Sequence, residues 1–157
     1  MANTTATTEE EFRLGVIPRA EISLATSRIA KEKATQANTK EFAGFEFEEA
    51  VAVLTVLKNL ETPTPAMDAK QQETLDKIET TAPGADFDKA YIKAQLENHE
   101  ELFELADNYL NNSDADTTDP AEQQGRNLAT LSRAVFKEHV LICKRISGEL
   151  QGQTANA

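Results

Sequence analysis

The sequence predicts an all-α protein, a bundle of four long helices with one short extra helix between the second and third long ones. Three observations predict it. Between Phe87 and Leu110 polar and apolar residues separate at the helical period. Asp88, Ile92, Gln95, Leu96, His99, Leu102, Phe103, Ala106 and Leu110 share one face, and Lys93, Glu97, Glu101, Glu104 and Asn108 the other. Gly and Pro number only 6 and 5 in 157 residues, whereas Ala, Glu, Leu, Lys and Gln are plentiful. No internal repeat or shift in composition divides the chain, so residues 8–150 read as a single helical domain, with 1–7 and 151–157 as loose tails.

Each element has its own signals. Thr8 followed by Glu11 forms a capping box that starts a helical turn, which Gly15 and Pro18 then interrupt or kink. The first long helix is expected from Pro18 to Thr35. Its seam of Val16, Ala20, Ser23, Ser27, Ala30 and Ala34 is built of small residues, which invites close approach by a neighbour. Ile22 and Ile29 lie on another side and point to a second neighbour. Asn38 and Glu41 form the next capping box, opening a helix to about Glu61 whose apolar line is Ala43, Phe47, Ala50, Val53, Leu54 and Leu57. The β-branched cluster from Val51 to Val56 continues that helical spacing without a break, so it is not a strand. Glu46 stands one turn before Ala50 on the same line, where an ionised carboxylate needs a partner.

A short segment, Ala66 to Thr80, shows Met67, Leu75 and Ile78 as a weak apolar side and is expected to cross an end of the bundle. Pro83 and Gly84 then break the chain, and Asp86 is placed to cap the helix from Phe87 to Leu110. From Asn111 to Asp119 the chain is a polar loop. Its Asp114, Asp116 and Asp119 lack the glycine and the closing glutamate of an EF-hand, so a calcium site is set aside. Instead Asp119 caps the last helix, Pro120 takes its first position and Glu122 completes the box. That helix reaches about Leu150, with Leu128, Ser132, Val135, Phe136, His139, Ile142, Cys143 and Ile146 inward and Arg126, Arg133, Lys137 and Lys144 opposite.

The net charge of -11 opposes binding to nucleic acid or to an anionic membrane surface. The apolar run Ala50 to Leu57 is too short to cross a bilayer, so no membrane insertion is expected. The single cysteine, Cys143, allows no internal disulfide and reads as an inert core thiol.

The sharpest chemical observation is that the only two histidines, His99 and His139, both lie at the centre of inward stripes. Imidazole is a frequent metal ligand, and Glu46 is placed to complete a site for a transition metal ion. The alternative is a pair of core histidines held by hydrogen bonds, for which Glu46, Tyr91, Gln95 and Ser132 are candidates. Di-iron carboxylate bundles place Glu three residues before each ligating His, where this chain has Leu96 and Phe136, so ferroxidase chemistry is disfavoured. Cys143 lies four residues from His139, but no oxyanion donor or orienting third group accompanies the pair. No catalytic motif is present, and an enzyme ranks below a binding or scaffold protein.

The run Phe87-Asp88-Lys89-Ala90-Tyr91-Ile92, followed by His99, Leu102-Phe103 and His139-Val140, together with Ala30 to Ala34 and Phe42-Ala43, resembles the bacterial domain-of-unknown-function 4142 family from about Phe12 to Leu150. That resemblance implies a ferritin-like bundle, periplasmic or otherwise exported and trimmed of a signal peptide, of the kind often labelled as outer membrane proteins. It also implies a role for Glu21, which matches a glutamate on the family's first helix. Where the family carries an Asp-His pair late in its second helix, this chain reads Glu49-Ala50, so a ligand site using that His lacks one member here unless Glu46 or Glu49 substitutes. The readings carried forward are a bundle holding one metal ion through His99, His139, Glu46 and Glu21, or a structural module of the cell envelope that binds a protein partner, for instance through the Phe45 side of the second helix.

Overall fold

The computed structural model describes residues 4–154 and contains five α-helices and, among the described residues, no strand. They are α1 (Glu9–Lys33), α2 (Ala37–Asn59), α3 (Ala69–Thr80), α4 (Ala85–Asn112) and α5 (Pro120–Thr154). The four long helices form the bundle. α1 runs antiparallel to α2, with Glu21 paired to Lys58, and α4 antiparallel to α5, with Asp107 on Arg133 and Glu100 on Lys144. No helix is long and apolar enough to cross a membrane.

α1 is longer than its sequence suggests. The Thr8 and Glu11 capping box is present, but the helix then continues unbroken through Gly15 and Pro18. Burial of Phe12, Val16 and Ile17 on the same face as Ala20 outweighs the roughly 3 kcal/mol that an interior proline costs. The whole small-residue seam is buried, and Ile22 with half-buried Ile29 meets a second neighbour, as expected. That neighbour is α3. It lies along the flank of α1 and α4 and not over an end, since Gln71 donates to Pro18 O at 2.8 Å and Lys70 pairs with Glu101, while Lys33 reaches Glu79 O at the other end of α1.

Two expected caps move, and one expected capping box is not completed. α2 is capped by Gln36, whose side-chain oxygen accepts from Thr39 N at 2.6 Å, while Asn38 donates to Glu149. Gly84, with a φ of 141°, caps α4, which places Asp86 inside the first turn. Asp119 does accept from Ala121 N, but the Glu122 carboxylate reaches across to Glu9 N at 3.0 Å and to the Tyr109 hydroxyl at 2.9 Å. Glu122 therefore tethers the first turn of α1 to α5. Asp88 plays the corresponding part at the other turn, accepting from Thr35 N, Thr35 Oγ1 and Gln36 N at 3.0, 2.7 and 2.9 Å.

The chain before α1 is also packed: Ala6 is buried and Thr4 O accepts from Asn108. The expected tails otherwise fall at 1–3 and 155–157, outside the described residues, and α5 continues to Thr154. α4 turns slightly from its expected register. Tyr91, Leu105 and Tyr109 are fully buried and Leu96, Phe103 and Leu110 only partly so.

Two glycines lie where helices nearly touch. A Cβ at Gly125 would come 2.4 Å from Glu9 Cβ and 3.2 Å from Glu9 Cα, atoms fixed to the α1 backbone. At Gly15 the obstacle is the flexible end of Leu105. Gly125→Ala is expected to lower stability by about 1–3 kcal/mol. Gly15→Ala should be near neutral, because helix propensity offsets a small side-chain shift. Denaturant unfolding of both variants checks the contrast.

Candidate metal centre

The buried apolar residues form two clusters, one around Phe12, Leu102, Leu105, Tyr109 and Phe136, the other around Phe42, Ile78, Phe87, Tyr91, Cys143 and Ile146. Between them lies a polar layer to which all four long helices contribute: Ser23, Thr26 and Ser27 from α1, Glu46 from α2, Gln95 and His99 from α4, and His139 from α5. Glu46, His99 and His139 are only 3%, 1% and 7% exposed. The helical period brings them there, because each sits on the apolar stripe of its own helix.

Their polar atoms meet at one point. Glu46 Oε2 is 2.9 Å from His139 Nδ1 and 3.2 Å from His99 Nε2, and the two ring nitrogens are 3.2 Å apart. Three atoms with these spacings lie about 1.8 Å from a common centre, against about 2.1 Å for a metal–nitrogen bond. Neighbouring ligands around one octahedral ion are about 3.0 Å apart, so this triangle matches one face of such a coordination sphere.

The surroundings fix which ring atoms face inward. His99 Nδ1 is 2.8 Å from Gln95 O; a carbonyl can only accept, so that nitrogen carries the proton and Nε2 turns its lone pair to the cluster. His139 Nε2 lies 3.2 Å from Glu49 Oε2; with its proton on that nitrogen the ring turns the Nδ1 lone pair to the cluster, and with the proton on Nδ1 it donates to Glu46 Oε2 at 2.9 Å. Glu46 Oε1 accepts from the Ser23 hydroxyl, so Oε2 is the oxygen presented to the rings. Ser23 also contacts Gln95 Oε1 at 2.9 Å, and the Gln95 amide donates to Thr26 Oγ1 at 2.9 Å. Gln95 therefore supports His99 through its carbonyl and lies against the Ser23 hydroxyl that holds Glu46. Phe42 stands edge-on to both imidazoles and Phe136 to His99, keeping water away on those sides.

When both rings carry their proton on the outer nitrogen, the three inward atoms are all acceptors, and a proton or a cation among them offsets their repulsion. The electrostatics show the same demand. Burial by itself would push the Glu46 carboxyl up, but the charge and hydrogen bonds of the two imidazoles outweigh it and hold the group at about 2. Burial opposes a proton on His99, yet the Glu46 carboxylate and the Gln95 carbonyl raise it above the usual histidine value. Glu49 is raised, first by burial and then by the Glu46 charge. Burial, with a smaller contribution from Glu46 and Glu100, pushes the Cys143 thiol up to about 12, which keeps it neutral and unreactive.

Of the residues singled out from sequence, Glu46, His99 and His139 are brought together. Glu21 is not. It lies two residues from inward-facing Ser23, about 200° around α1, and its carboxylate pairs with Lys58 at 3.1 Å. Tyr91 bonds to Ser27 at 2.8 Å instead of to a histidine. Gln95 serves His99 through its main chain, which no side-chain pattern reveals. Glu49, which the family resemblance marked as a possible substitute ligand and which stands one turn along from Glu46, proves to be the outer partner of His139.

No curated protein and no solved structure matches the chain. Residues 1–131 match the family described as Domain of unknown function (DUF4142), a stretch that takes in Glu46 and His99 and ends before His139. The chain therefore belongs to the DUF4142 family.

Proposed function

We propose that this protein binds one divalent transition-metal ion in the bundle core through Glu46 Oε2, His99 Nε2 and His139 Nδ1. The observation that carries the reading is the inward convergence of three acceptor atoms whose other polar atoms are already committed to Ser23, Gln95 and Glu49. Two neutral imidazoles with the Glu46 and Glu49 carboxylates balance a charge of two. Two histidines and one carboxylate on one face leave the opposite coordination positions open, an arrangement suited to iron(II), manganese, cobalt or zinc. A proton shared within the cluster is the competing occupant. Binding and protonation therefore exclude one another.

Protein stripped with chelator and titrated with Zn²⁺, Mn²⁺, Fe²⁺ or Co²⁺ is expected to take up one equivalent of at least one of them. At a hundredfold excess over Kd the stabilisation is about 2.7 kcal/mol, a rise in Tm of roughly 5–10 °C. Glu46→Gln, His99→Ala and His139→Ala should each reduce affinity at least a hundredfold while circular dichroism stays helical. Wild-type protein that takes up no metal, and whose Tm is unmoved by all four ions, would leave the cluster as an imidazolium–carboxylate brace.

The pH dependence separates the two occupants. In metal-free protein the raised His99 contributes stability that is complete below its ordinary value of 6.5 and is lost as pH rises through its folded value. The depressed Glu46 carboxyl contributes stability above its ordinary 4.5, which is lost as pH falls toward about 2. These describe one contact from its two ends and are counted once. Metal-free protein is thus expected to lose stability as pH rises above 6.5, whereas the stabilisation added by saturating metal should grow from pH 6 to 8. Thermal melts with and without metal across that range measure both slopes.

A further inference from the structure

The proposed centre is shut on most sides, and the way in is not symmetrical. His99 is packed against Phe42 and Phe136, and the Glu46 side chain is only 4% exposed. Two openings come near. One is a cavity of about 100 Å³ between α1, α3 and α4, whose inner wall includes Ser23 and Gln95. Those two side chains are themselves 2% and 1% exposed and lie 2.9 Å apart, with Ser23 donating to Glu46 and Gln95 to Thr26, so they close that side. The other is the edge where α2 meets α5. There the Glu49 side chain is 25% exposed while its Oε2 rests on His139 Nε2, and Glu138, on α5 beside His139, is exposed to solvent.

Resting on the metal reading above, we propose that Glu49 is the entry residue of the site, the carboxylate that captures a hydrated divalent cation from solvent and passes it inward past the His139 ring. Among the described residues, Glu49 is the carboxylate that touches both solvent and a proposed ligand. Its charge attracts the cation, and Glu138 adds to the local negative field. Once the ion is seated between Glu46, His99 and His139, Glu49 holds the His139 Nε2–H and fixes the ring so that Nδ1 stays inward. Glu49 is therefore a positioning residue in the loaded site and an attracting one during loading, and the two roles can be separated.

Glu49→Gln keeps a carbonyl acceptor for the ring N–H but removes the charge. Chelator-stripped wild type, Glu49→Gln, Glu49→Asp and Ser23→Ala are mixed with Co²⁺ in a stopped-flow instrument, and the rate of its visible absorption change is followed at several salt concentrations alongside equilibrium affinity. The expected result for Glu49→Gln is an association rate three- to tenfold slower with a weaker dependence on salt, and a smaller change in dissociation rate; Glu49→Asp should recover much of the association rate. Ser23→Ala should leave association close to wild type and act on dissociation, because it loosens Glu46. Unchanged association in Glu49→Gln, or faster association in Ser23→Ala alone, would overturn the assignment while leaving the metal site intact. No Co²⁺ absorption change with wild type, paired with normal uptake of another of the four ions, would require repeating the rates with that ion, and unchanged association of Glu49→Gln there overturns the assignment equally. Failure of wild type with all four ions removes the metal reading itself.

Discussion

The contact between the Glu46 carboxylate and the two imidazoles governs the interior of this bundle. A carboxylate removed from water costs several kcal/mol unless opposite charge and hydrogen bonds compensate it. Here compensation comes from three other helices: Ser23 on α1, His99 on α4 and His139 on α5. The small-residue seam of α1 follows from that requirement. A large side chain in place of Ser23 or Ser27 would hold α1 away from the layer and break the chain of contacts from Glu46 through Ser23 to Gln95, and from Ser27 to Tyr91. Close helix approach and polar satisfaction are here the same constraint.

Much of the fold could be read from residue periodicity, because long helices carry their pattern over many turns. The seam of α1 and the centre of the α5 stripe, Phe136, His139, Cys143 and Ile146, needed only that; on α2 the line of Ala43, Ala50, Leu54 and Leu57 holds, but Phe42 is buried while Phe47 and Val53 are half-buried. The centre was legible to the same depth: Glu46, His99 and His139 each stand out as a polar residue on an apolar stripe. What the sequence hides has local causes. Gln36 is a poor cap by propensity and serves because its oxygen reaches Thr39 N. Glu122 has the spacing of a self-capping residue, but only the packing of α5 on α1 reveals that Glu9 N competes for it. Pro18 looks like a boundary until the burial on both sides of it is known. Glu21 was indicated by family resemblance alone, and the rotation of α1 that buries Ser23 turns it outward.

Stability does not explain the polar layer. Buried ionic groups replaced together by apolar side chains of similar volume commonly leave a protein as stable or more so, whereas removing one member is costly. An all-apolar layer would suit these helices, as the stripes on either side of it show. The cluster of Glu46, His99 and His139, with its supports at Gln95, Ser23 and Glu49, is the part of the interior that the proposed ion would occupy.

The same layer divides the apolar interior into two clusters, with the Glu122 tether closing one end and Asp88 pinning the turn at the other. Neither half-core is large, and little oily surface is continuous between them. An ion at the centre would be bonded to α2, α4 and α5 at once and would join the halves into one cooperative unit; without it, either half can open with less disturbance to the other. Backbone amide exchange would then slow at both ends of the bundle when a single atom is added at its middle.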